Sequence, residues 1–246
     1  MFPGPLIQIM SVPEVDPHWA SVSAILGFDE EQYSITDPKG VTWGMTGPST
    51  NATTTGAMYG SRALSITSAG DRVTTLENQT TGDFENGDFT VELAFKFSSP
   101  SSQFPVLIEA YAHANYPYAD TAIAWQIYLN NYAGGGDDIY WYSGANTEWI
   151  GGNNGGTIHP YDGNWHTVAY SRGGSIGRLY FDGVNIATNN EDYAYYFDAT
   201  RINIGSSDNG DNSARSVLID EVRITKGVAR YTDSSYTPRT IPFPRA

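Results

Sequence analysis

Two Asp-Gly pairs that bracket a short aromatic segment constrain the fold of this chain more than any other feature. The stretch 161–172 (YDGNWHTVAYSR) is followed by 178–184 (RLYFDGV). Asp162-Gly163 precedes the first segment, Gly173-Gly174 separates the two, and Asp182-Gly183 follows the second. Such pairs supply the positive φ angles of tight hairpin turns. The stretch therefore predicts consecutive antiparallel strands joined by hairpins.

Apolar and polar residues alternate with a period of two elsewhere in the chain. Apolar residues at 89, 91, 93, 95 and 97 alternate with Thr, Glu, Ala and Lys, which places one apolar set on one face of a strand. Further short strands are predicted at 21–28, 41–45, 63–67, 72–76, 106–111, 123–129, 138–142 and 201–205. Polar loops are predicted at 47–60, 130–136 and 151–156. Long helical periodicity is missing, and 16% charged residues with 26 glycines suit strands and tight turns. These patterns indicate an all-β protein.

The last predicted strand changes its alternation midway. Val217 and Ile219 share one parity, whereas Val222 and Ile224 share the other. One extra residue in a strand exchanges its two faces, so a β-bulge is predicted near Asp220-Glu221. The bulge either points one of these carboxylates in a direction that a regular strand would not allow, or has only a structural role at the edge of the sheet.

These segments resemble the blocks of the laminin G-like (LamG) domain, in family order. Residues 162–169 resemble its D-G-x-W-H-x-V-A signature and 178–184 the strand after it. Residues 89–97 resemble its F-T-x-E-x-W strand, with Ala94 in place of the aromatic residue. Residues 25–29 resemble its opening strand and 219–231 its closing strand. The resemblance implies an antiparallel two-sheet jelly-roll sandwich of the concanavalin A-like type over residues 20–246.

Residues 1–19 are predicted to form an extended N-terminal arm. They hold four prolines among apolar side chains, and proline cannot donate to a sheet ladder. The arm either packs along its own domain or docks on a partner.

Composition excludes several classes of partner. A formal net charge of −14 and a pI near 4.4 disfavour nucleic acid and anionic membranes. The chain has no cysteine, no run long and apolar enough for a membrane span, and no signal peptide at its N-terminus. Synthesis in the cytoplasm, without secretion, is expected.

Catalytic patterns are missing from the sequence. A glycoside hydrolase of the laminarinase type carries Glu-x-Asp-x-x-Glu on one strand, and no such spacing occurs around Glu92, Glu109 or Glu221. The four histidines lie in no nucleophile-elbow or zinc-binding context. The chain is therefore predicted not to be an enzyme.

Calcium is the one candidate cofactor, because loop carboxylates and carbonyls suit this ion. The candidate ligands are Asp29 and Asp220, expected on paired terminal strands, and the aspartates of the 137–138 and 208–211 loops. The alternative is that these are solvated turn aspartates that accept backbone hydrogen bonds.

A dense set of aromatic residues suggests carbohydrate binding, since sugar rings stack on flat aromatic faces while polar side chains bind the hydroxyls. The candidate ligand-binding residues, all expected in loops, are Tyr116, Tyr118, Trp149, Asn130 and Asn153. Trp125 and Trp165 are predicted to be core residues. Most aromatic residues in a sandwich are buried, so packing is the alternative for the whole set.

The closing pattern, with Tyr236-Thr237-Pro238 and the prolines at 242 and 244, is similar to LamG-like proteins of bacteriophage particles. This resemblance implies a non-enzymatic virion structural protein, either a capsid decoration or a tail accessory or fibre component. Its expected partners are other virion proteins and host-surface glycans, with a homo-oligomer as a further option. A free-standing lectin is the main alternative, and a laminarinase-type hydrolase is disfavoured by the missing carboxylate pattern.

Overall fold

The structure, a computed structural model, describes residues 14–29, 34–47, 51–53, 56–76, 80–97, 103–112, 123–131, 138–144, 148–152, 156, 158–192, 200–208, 212, 214 and 216–246. A short 3₁₀ turn (Trp19–Ser21) precedes the strands. The strands are β1 (Val22–Leu26), β2 (Ser34–Thr36), β3 (Thr42–Thr46), β4 (Asn51–Thr53), β5 (Ala63–Ile66), β6 (Arg72–Thr75), β7 (Phe89–Phe97), β8 (Val106–Ala112), β9 (Ile123–Asn130), β10 (Asp138–Ser143), β11 (Glu148–Gly152), β12 (His166–Gly173), β13 (Ile176–Phe181), β14 (Val184–Asn190), β15 (Thr200–Ile204) and β16 (Val217–Lys226).

Within these ranges the strands form two eight-stranded antiparallel sheets. Sheet A has the order β14-β13-β12-β7-β16-β5-β4, and β1 also pairs with β16. Sheet B has the order β11-β10-β9-β8-β15-β6-β3-β2. This all-β sandwich agrees with the fold predicted from the sequence. No helix of the described ranges is long and apolar enough to cross a membrane.

The first and last strands lie side by side, as the order of the motif blocks requires. Leu26 pairs with Val222, and Ile25 with Arg223. The predicted β-bulge is confirmed: the pairing of β16 with β7 shifts register between Asp220 and Arg223, and Glu221 has a φ of +49°. The bulge keeps apolar residues on the core side along the whole strand.

The core lies between the two sheets and is rich in aromatic rings. Trp141 of β10 stacks on Tyr170 of β12 with ring centroids 3.9 Å apart, which joins sheet B to sheet A. Trp125 stacks on Trp141 at 5.2 Å. Trp125 is fully buried, as predicted, and donates its Nε1–H to the carbonyl of Gly82.

Both terminal segments pack on the outer face of sheet A. The backbone N–H of Asp16 donates to the carbonyl of Ala246. The rings of Tyr231 and Tyr236 stack on each other 3.7 Å apart, and both contact Tyr180 of β13 edge-on. Residues 14–19 of the predicted arm therefore contact their own sandwich, whereas residues 1–13 lie outside the described residues.

Several predictions of local structure were wrong. The loop predicted at 47–60 contains strand β4, and the loop predicted at 151–156 begins inside β11. Trp149, predicted to be a loop residue, lies in β11. Trp165 is not a core residue: it precedes β12, remains partly exposed and donates its Nε1–H to the carbonyl of Gly56. Short strands with polar residues or glycine depend on pairing with a neighbour, which local patterns do not record.

Candidate functional site

The outer face of sheet B carries partly exposed polar and aromatic side chains across several strands. Successive residues of a strand point to opposite faces. Ile139 and Trp141 of β10 belong to the core, so Tyr140 and Tyr142 lie on the outer face. By contrast, the terminal segments cover much of the outer face of sheet A. The partly exposed residues on the outer face of sheet B are therefore the candidates for a ligand site.

One row of paired residues crosses the strands of this face. Trp149 pairs with Tyr142, Tyr142 with Gln126, and Gln126 with Glu109. Glu109 pairs with Asn203, Asn203 with Thr74, and Thr74 with Gly44. The row changes from aromatic to charged to small residues. Tyr142, Glu109 and Asn203 are buried in it, whereas Gln126 and Thr74 are partly exposed.

At the aromatic end, tyrosine rings meet planar polar groups. Tyr128 and Tyr140 stack with centroids 5.6 Å apart, and Tyr140 is partly exposed. The Tyr140 hydroxyl donates to Asp138 Oδ2 at 3.3 Å. Asn130, at the end of β9, pairs with Asp138. A flat ring beside amide and carboxylate groups is suited to contact the C–H face and the hydroxyls of a sugar.

At the centre of the row lies a cluster of charged and amide groups, which we call the polar centre: Arg72, Glu109, Arg201, Asn203 and Asp208. Asn203 Nδ2 donates to Glu109 Oε1 at 2.9 Å and to Asp208 Oδ1 at 3.3 Å. The backbone N–H of Asp208 also donates to Glu109 Oε1, at 2.6 Å. Arg201 Nη1 lies 2.7 Å from Asp208 Oδ1, and Arg72 Nη2 lies 4.0 Å from it.

Glu109 is completely buried in the polar centre. Burial raises the pKa of its carboxyl to about 7, against the effect of the hydrogen bonds from Asn203 and Asp208. Its second oxygen, Oε2, has no hydrogen-bond partner among the described residues. Asn203 Oδ1 and Arg72 Nε are likewise buried and unpartnered within those residues. Buried polar atoms are nearly always paired, so three such atoms in one cluster need an explanation.

At the small-residue end, Gly44 leaves space above the sheet. A Cβ at this position would meet nothing nearer than the carbonyl oxygen of Thr74, at 4.0 Å. Thr42 and Thr46 flank it and are exposed. This end of the row is flat, polar and open.

The structure places two predicted ligand-binding residues in strands of sheet B. Asn130 lies at the end of β9 rather than in a loop, and the backbone of Trp149 pairs with Tyr142. Tyr116, Tyr118 and Asn153 lie outside the described residues. A role for these five residues in ligand binding stays a prediction.

Two of the predicted calcium ligands, Asp29 and Asp220, lie at another place, around the segment 58–62, whereas Asp138 and Asp208 lie at sheet B. Asp220 accepts hydrogen bonds from the backbone N–H groups of Met58 and Tyr59, and burial raises the pKa of its carboxyl to about 7. Asp29 Oδ1 accepts from the N–H groups of Ser61 and Arg62. Both carboxylates thus hold one turn. Among the described residues no group of three or more acidic or histidine side chains forms a metal centre. Calcium binding at Asp29 and Asp220 stays a prediction.

Two other acidic residues considered for catalysis are held by ion pairs beneath the terminal segments. Glu92 Oε1 lies 2.8 Å from Arg223 Nη2, and its other oxygen accepts from the Tyr231 hydroxyl. Glu221 Oε1 lies 2.6 Å from Arg245 Nη2.

Sequence reasoning missed the polar centre and the outward direction of Tyr140. A usable signal was present for the tyrosine: residues 128, 140 and 142 have the opposite parity to Trp125 and Trp141 in their strands. Strand parity would have separated surface rings from core rings. No such signal joins Glu109 to Asn203, because strand pairing alone makes them neighbours.

Comparison with known protein families identifies the family to which this fold belongs. A family model, Laminin_G_3, described as the concanavalin A-like lectin/glucanases superfamily, matches residues 67–230 of this chain. No curated protein sequence matches the chain.

Several solved structures share the architecture. Domain 4 of AbnA, an extracellular arabinanase of Geobacillus stearothermophilus solved with arabinotriose, has a TM-score of 0.54 at 14% identity, over 85% of this chain and 94% of that one. The binding domain of Paraclostridial Mosquitocidal Protein 1 has a TM-score of 0.59 at 12% identity, over 85% of this chain and 50% of that one. Trypanosoma rangeli sialidase, in complex with 2,3-difluorosialic acid, has a TM-score of 0.57 at 13% identity, over 85% of this chain and 31% of that one. At these identities the likeness concerns the fold, which binding domains and enzymes share.

Proposed function

Because the chain belongs to the concanavalin A-like lectin/glucanases superfamily, we propose that it is a non-enzymatic glycan-binding protein whose ligand lies across the outer face of sheet B. The observation that carries the proposal is the partly exposed ring of Tyr140 on this face, which lies beside the partly exposed polar side chains of Asp138 and Asn130. Sites for small molecules combine apolar surface with a few placed polar groups in the same way.

The arrangement of carboxylates supports binding without hydrolysis. Hydrolysis of a glycosidic bond uses one carboxyl group as acid and a second as nucleophile or base. In the polar centre, Glu109 is fully buried and Asp208 is paired with Arg201. Glu92 and Glu221 lie beneath the terminal segments in ion pairs of their own. None of these four carboxylates is available to a glycosidic bond.

The solved structures of similar fold are compatible with this function. The arabinanase domain was solved with arabinotriose, and the mosquitocidal protein structure is that of a binding domain. They support glycans as the ligand class without identifying the sugar.

A glycan array with the purified protein tests the proposal, followed by titration of the best ligand. We expect Tyr140→Ala to weaken binding by about ten-fold or more, because stacking on its partly exposed ring is lost. Trp19→Ala is the matched control, since Trp19 is a partly exposed aromatic residue outside the strands of sheet B. Absence of binding to any glycan, or equal losses in both variants, would refute the proposal.

We further propose that the protein works as a structural component of a bacteriophage particle. The support is the sequence resemblance of the closing segment, and the acidic charge and lack of cysteine are compatible with it. Mass spectrometry of purified virions tests this role. Hundreds of copies per particle would indicate the capsid and a few dozen or fewer the tail, whereas absence from virions would favour a free-standing lectin.

A further inference from the structure

A cavity of about 250 Å³ lies between the end of β1, the segment that follows β2 and the C-terminal residue Arg245. Its floor consists of buried apolar residues, namely Ile25, Leu26, Phe28 and Ile35. Thr36 and Pro38 at its rim are exposed, so the cavity opens to solvent. Its volume far exceeds the roughly 10–15 Å³ that one water molecule needs, and it approaches the roughly 300 Å³ of the smaller ligand sites in proteins.

Two carboxylates line this cavity, and both are held in place. Asp29 is exposed, and its hydrogen bonds within the described residues, from the N–H groups of Ser61 and Arg62 and from the Ser61 hydroxyl, all reach Oδ1. Asp37 is buried, and its oxygens accept from the N–H groups of Ile25, Lys39 and Val41 and from the Trp43 indole. Asp29 therefore presents Oδ2 to a ligand. Because all its partners are donors, Asp37 adds a fixed negative charge.

The positive charges beside the cavity are engaged in other contacts. Arg245 is the one cation among the described residues that line it, and its Nη2 lies 2.6 Å from Glu221 Oε1, which neutralises it. Lys39 follows the rim residue Pro38, but its Nζ donates to the carbonyl of Trp19 and lies 4.6 Å from the centre of that ring. The lining of the cavity therefore keeps a negative charge.

The backbone beside the cavity has an uncommon conformation. Phe28 has a φ of +58°, which is rare for a bulky residue and tends to occur at ligand sites. In this conformation its ring belongs to the core, while the next residue, Asp29, contacts the N–H of Ser61. The sequence then continues with Glu30 and Glu31. The uncommon conformation thus holds the first of three consecutive acidic residues at the cavity.

We propose that this cavity binds a compact organic cation, whose ammonium group pairs with Asp29 Oδ2 and whose apolar body packs between Ile35 and Pro38. The charge of the cation matches the carboxylates, and burial of its apolar body adds a hydrophobic gain. An anionic group would be repelled by both aspartates. A hydrated metal ion would gain nothing from the apolar floor. None of the lining residues belongs to the group around Tyr140, so the site is independent of the proposed glycan binding.

Three probes with the same ring and different head groups test this assignment by NMR of ¹⁵N-labelled protein at pH 7: cyclohexylamine, cyclohexanol and cyclohexanecarboxylate. We expect cyclohexylamine, which is protonated at this pH, to shift the amide resonances of Gly27, Phe28 and Thr36 until saturation. Its Kd should be about ten-fold lower than that of the alcohol, because a hydrogen bond between charged groups contributes about this factor. The carboxylate should bind more weakly than the alcohol.

The variant Asp29→Asn removes the charge but keeps Oδ1 as the acceptor for Ser61 and Arg62. We expect its Kd for cyclohexylamine to rise about ten-fold, to the level of the alcohol. The control is Asp233→Asn, which changes an exposed aspartate outside the cavity and should bind like the wild type. Unchanged amide resonances away from residues 25–38 show that each variant keeps the fold.

Several results would overturn the proposal. Equal binding of the three probes would indicate an apolar cavity without charge selectivity, and a preference for the carboxylate would assign the site to Arg245. An unaltered Kd in Asp29→Asn, an equal loss in Asp233→Asn or the absence of any shift would overturn it as well. Calcium chloride is the last probe: shifts of the same amides by calcium but not by cyclohexylamine would indicate a metal site instead. No probe is a sugar, so each of these results leaves the glycan proposal standing.

Discussion

At the scale of single residues, His166 explains why two separate Asp-Gly turns belong to one motif. Its Nδ1 lies 2.7 Å from Asp182 Oδ2, and its Nε2 lies 3.0 Å from Asp162 Oδ1. Burial opposes the charged ring, but the two hydrogen-bonded carboxylates together raise the pKa of His166 above its usual value. The protonated ring therefore joins the turn before β12 to the turn between β13 and β14.

This ion pair predicts a pH-dependent contribution to stability. Because the pKa of His166 is higher in the folded state, protonation of the ring contributes stability that is fully present below pH 6.5, the pKa in the unfolded state. This contribution is lost as the pH rises through the folded-state pKa. We expect the difference in free energy of unfolding between wild type and His166→Gln to be largest at pH 5 to 6 and to shrink toward pH 9. Urea unfolding measures it. His159→Gln changes an exposed histidine and serves as control; a difference that grows with pH would contradict the assignment.

The two Asp-Gly glycines have the same backbone conformation but different surroundings. At Gly163, with a φ of +81°, an added Cβ would meet no atom within 4 Å. At Gly183, with a φ of +77°, a Cβ would lie 2.1 Å from the Tyr236 carbonyl oxygen. The second glycine is therefore required by the close approach of the C-terminal segment as well as by the turn.

Substitution of each glycine by alanine distinguishes the requirement of the turn from the requirement of the close contact with Tyr236. Gly163→Ala should cost about 1 to 2 kcal/mol, the penalty of a left-handed conformation. Gly183→Ala should cost about 1 to 3 kcal/mol more, because the C-terminal segment must also move. Chemical denaturation of both variants gives the comparison, and equal losses would show that the contact with Tyr236 is unimportant.

At the scale of elements, a buried ion network attaches the terminal segments to sheet A. Asp16 Oδ2 lies 2.9 Å from Arg223 Nη1 and 2.8 Å from Arg230 Nη2, while Glu92 pairs with Arg223. Two positive and two negative charges balance in a site whose side chains are nearly inaccessible to solvent. Removal of one member leaves a buried charge without compensation, which is costly.

Asp16→Ala should therefore destabilise the protein by about 3 kcal/mol or more at neutral pH. Although burial opposes ionisation, hydrogen bonds from Arg230 and the His18 amide lower the pKa of Asp16. Its contribution is present above the unfolded value of 3.8 and disappears as pH falls through the folded pKa. Thermal unfolding measures the change. Glu14→Ala removes the exposed partner of Arg239 and should have little effect; similar losses would contradict the role of burial.

The accuracy of sequence-based prediction also differs between elements. Strand β7 was predicted within one residue, because its period of two covers nine residues. The short strand β11 was not: its Gly151 was assigned to a loop, but a Cβ there would lie 2.0 Å from the Ile139 carbonyl oxygen, so glycine permits close pairing with β10. The candidate site was predicted only through Asn130 and Trp149. Its polar centre joins Glu109 to Asn203, 94 positions apart, and only the strand order brings them together.

At the scale of the whole molecule, the two outer faces of the sandwich differ in what covers them. Sheet A is covered by both terminal segments, whereas the ring of Tyr140 remains partly exposed on the outer face of sheet B. The net charge of −14 gives the molecule a field that repels anionic ligands. A neutral glycan avoids this repulsion.

Binding of a neutral glycan should therefore depend little on ionic strength. Since salt screens only charged partners over the Debye length, we expect less than about a two-fold change in Kd between 50 mM and 500 mM NaCl. Isothermal titration at the two concentrations measures it. A Kd that changes by about ten-fold or more would instead indicate a charged ligand and contradict the expectation of a neutral glycan.

The most direct test of the account is a crystal structure of the protein with its best array ligand. We expect a sugar ring over Tyr140 on the outer face of sheet B, with the outer face of sheet A still covered by the terminal segments. A sugar bound only around Asp29 and Asp220, or on sheet A, would contradict the assignment of the ligand face.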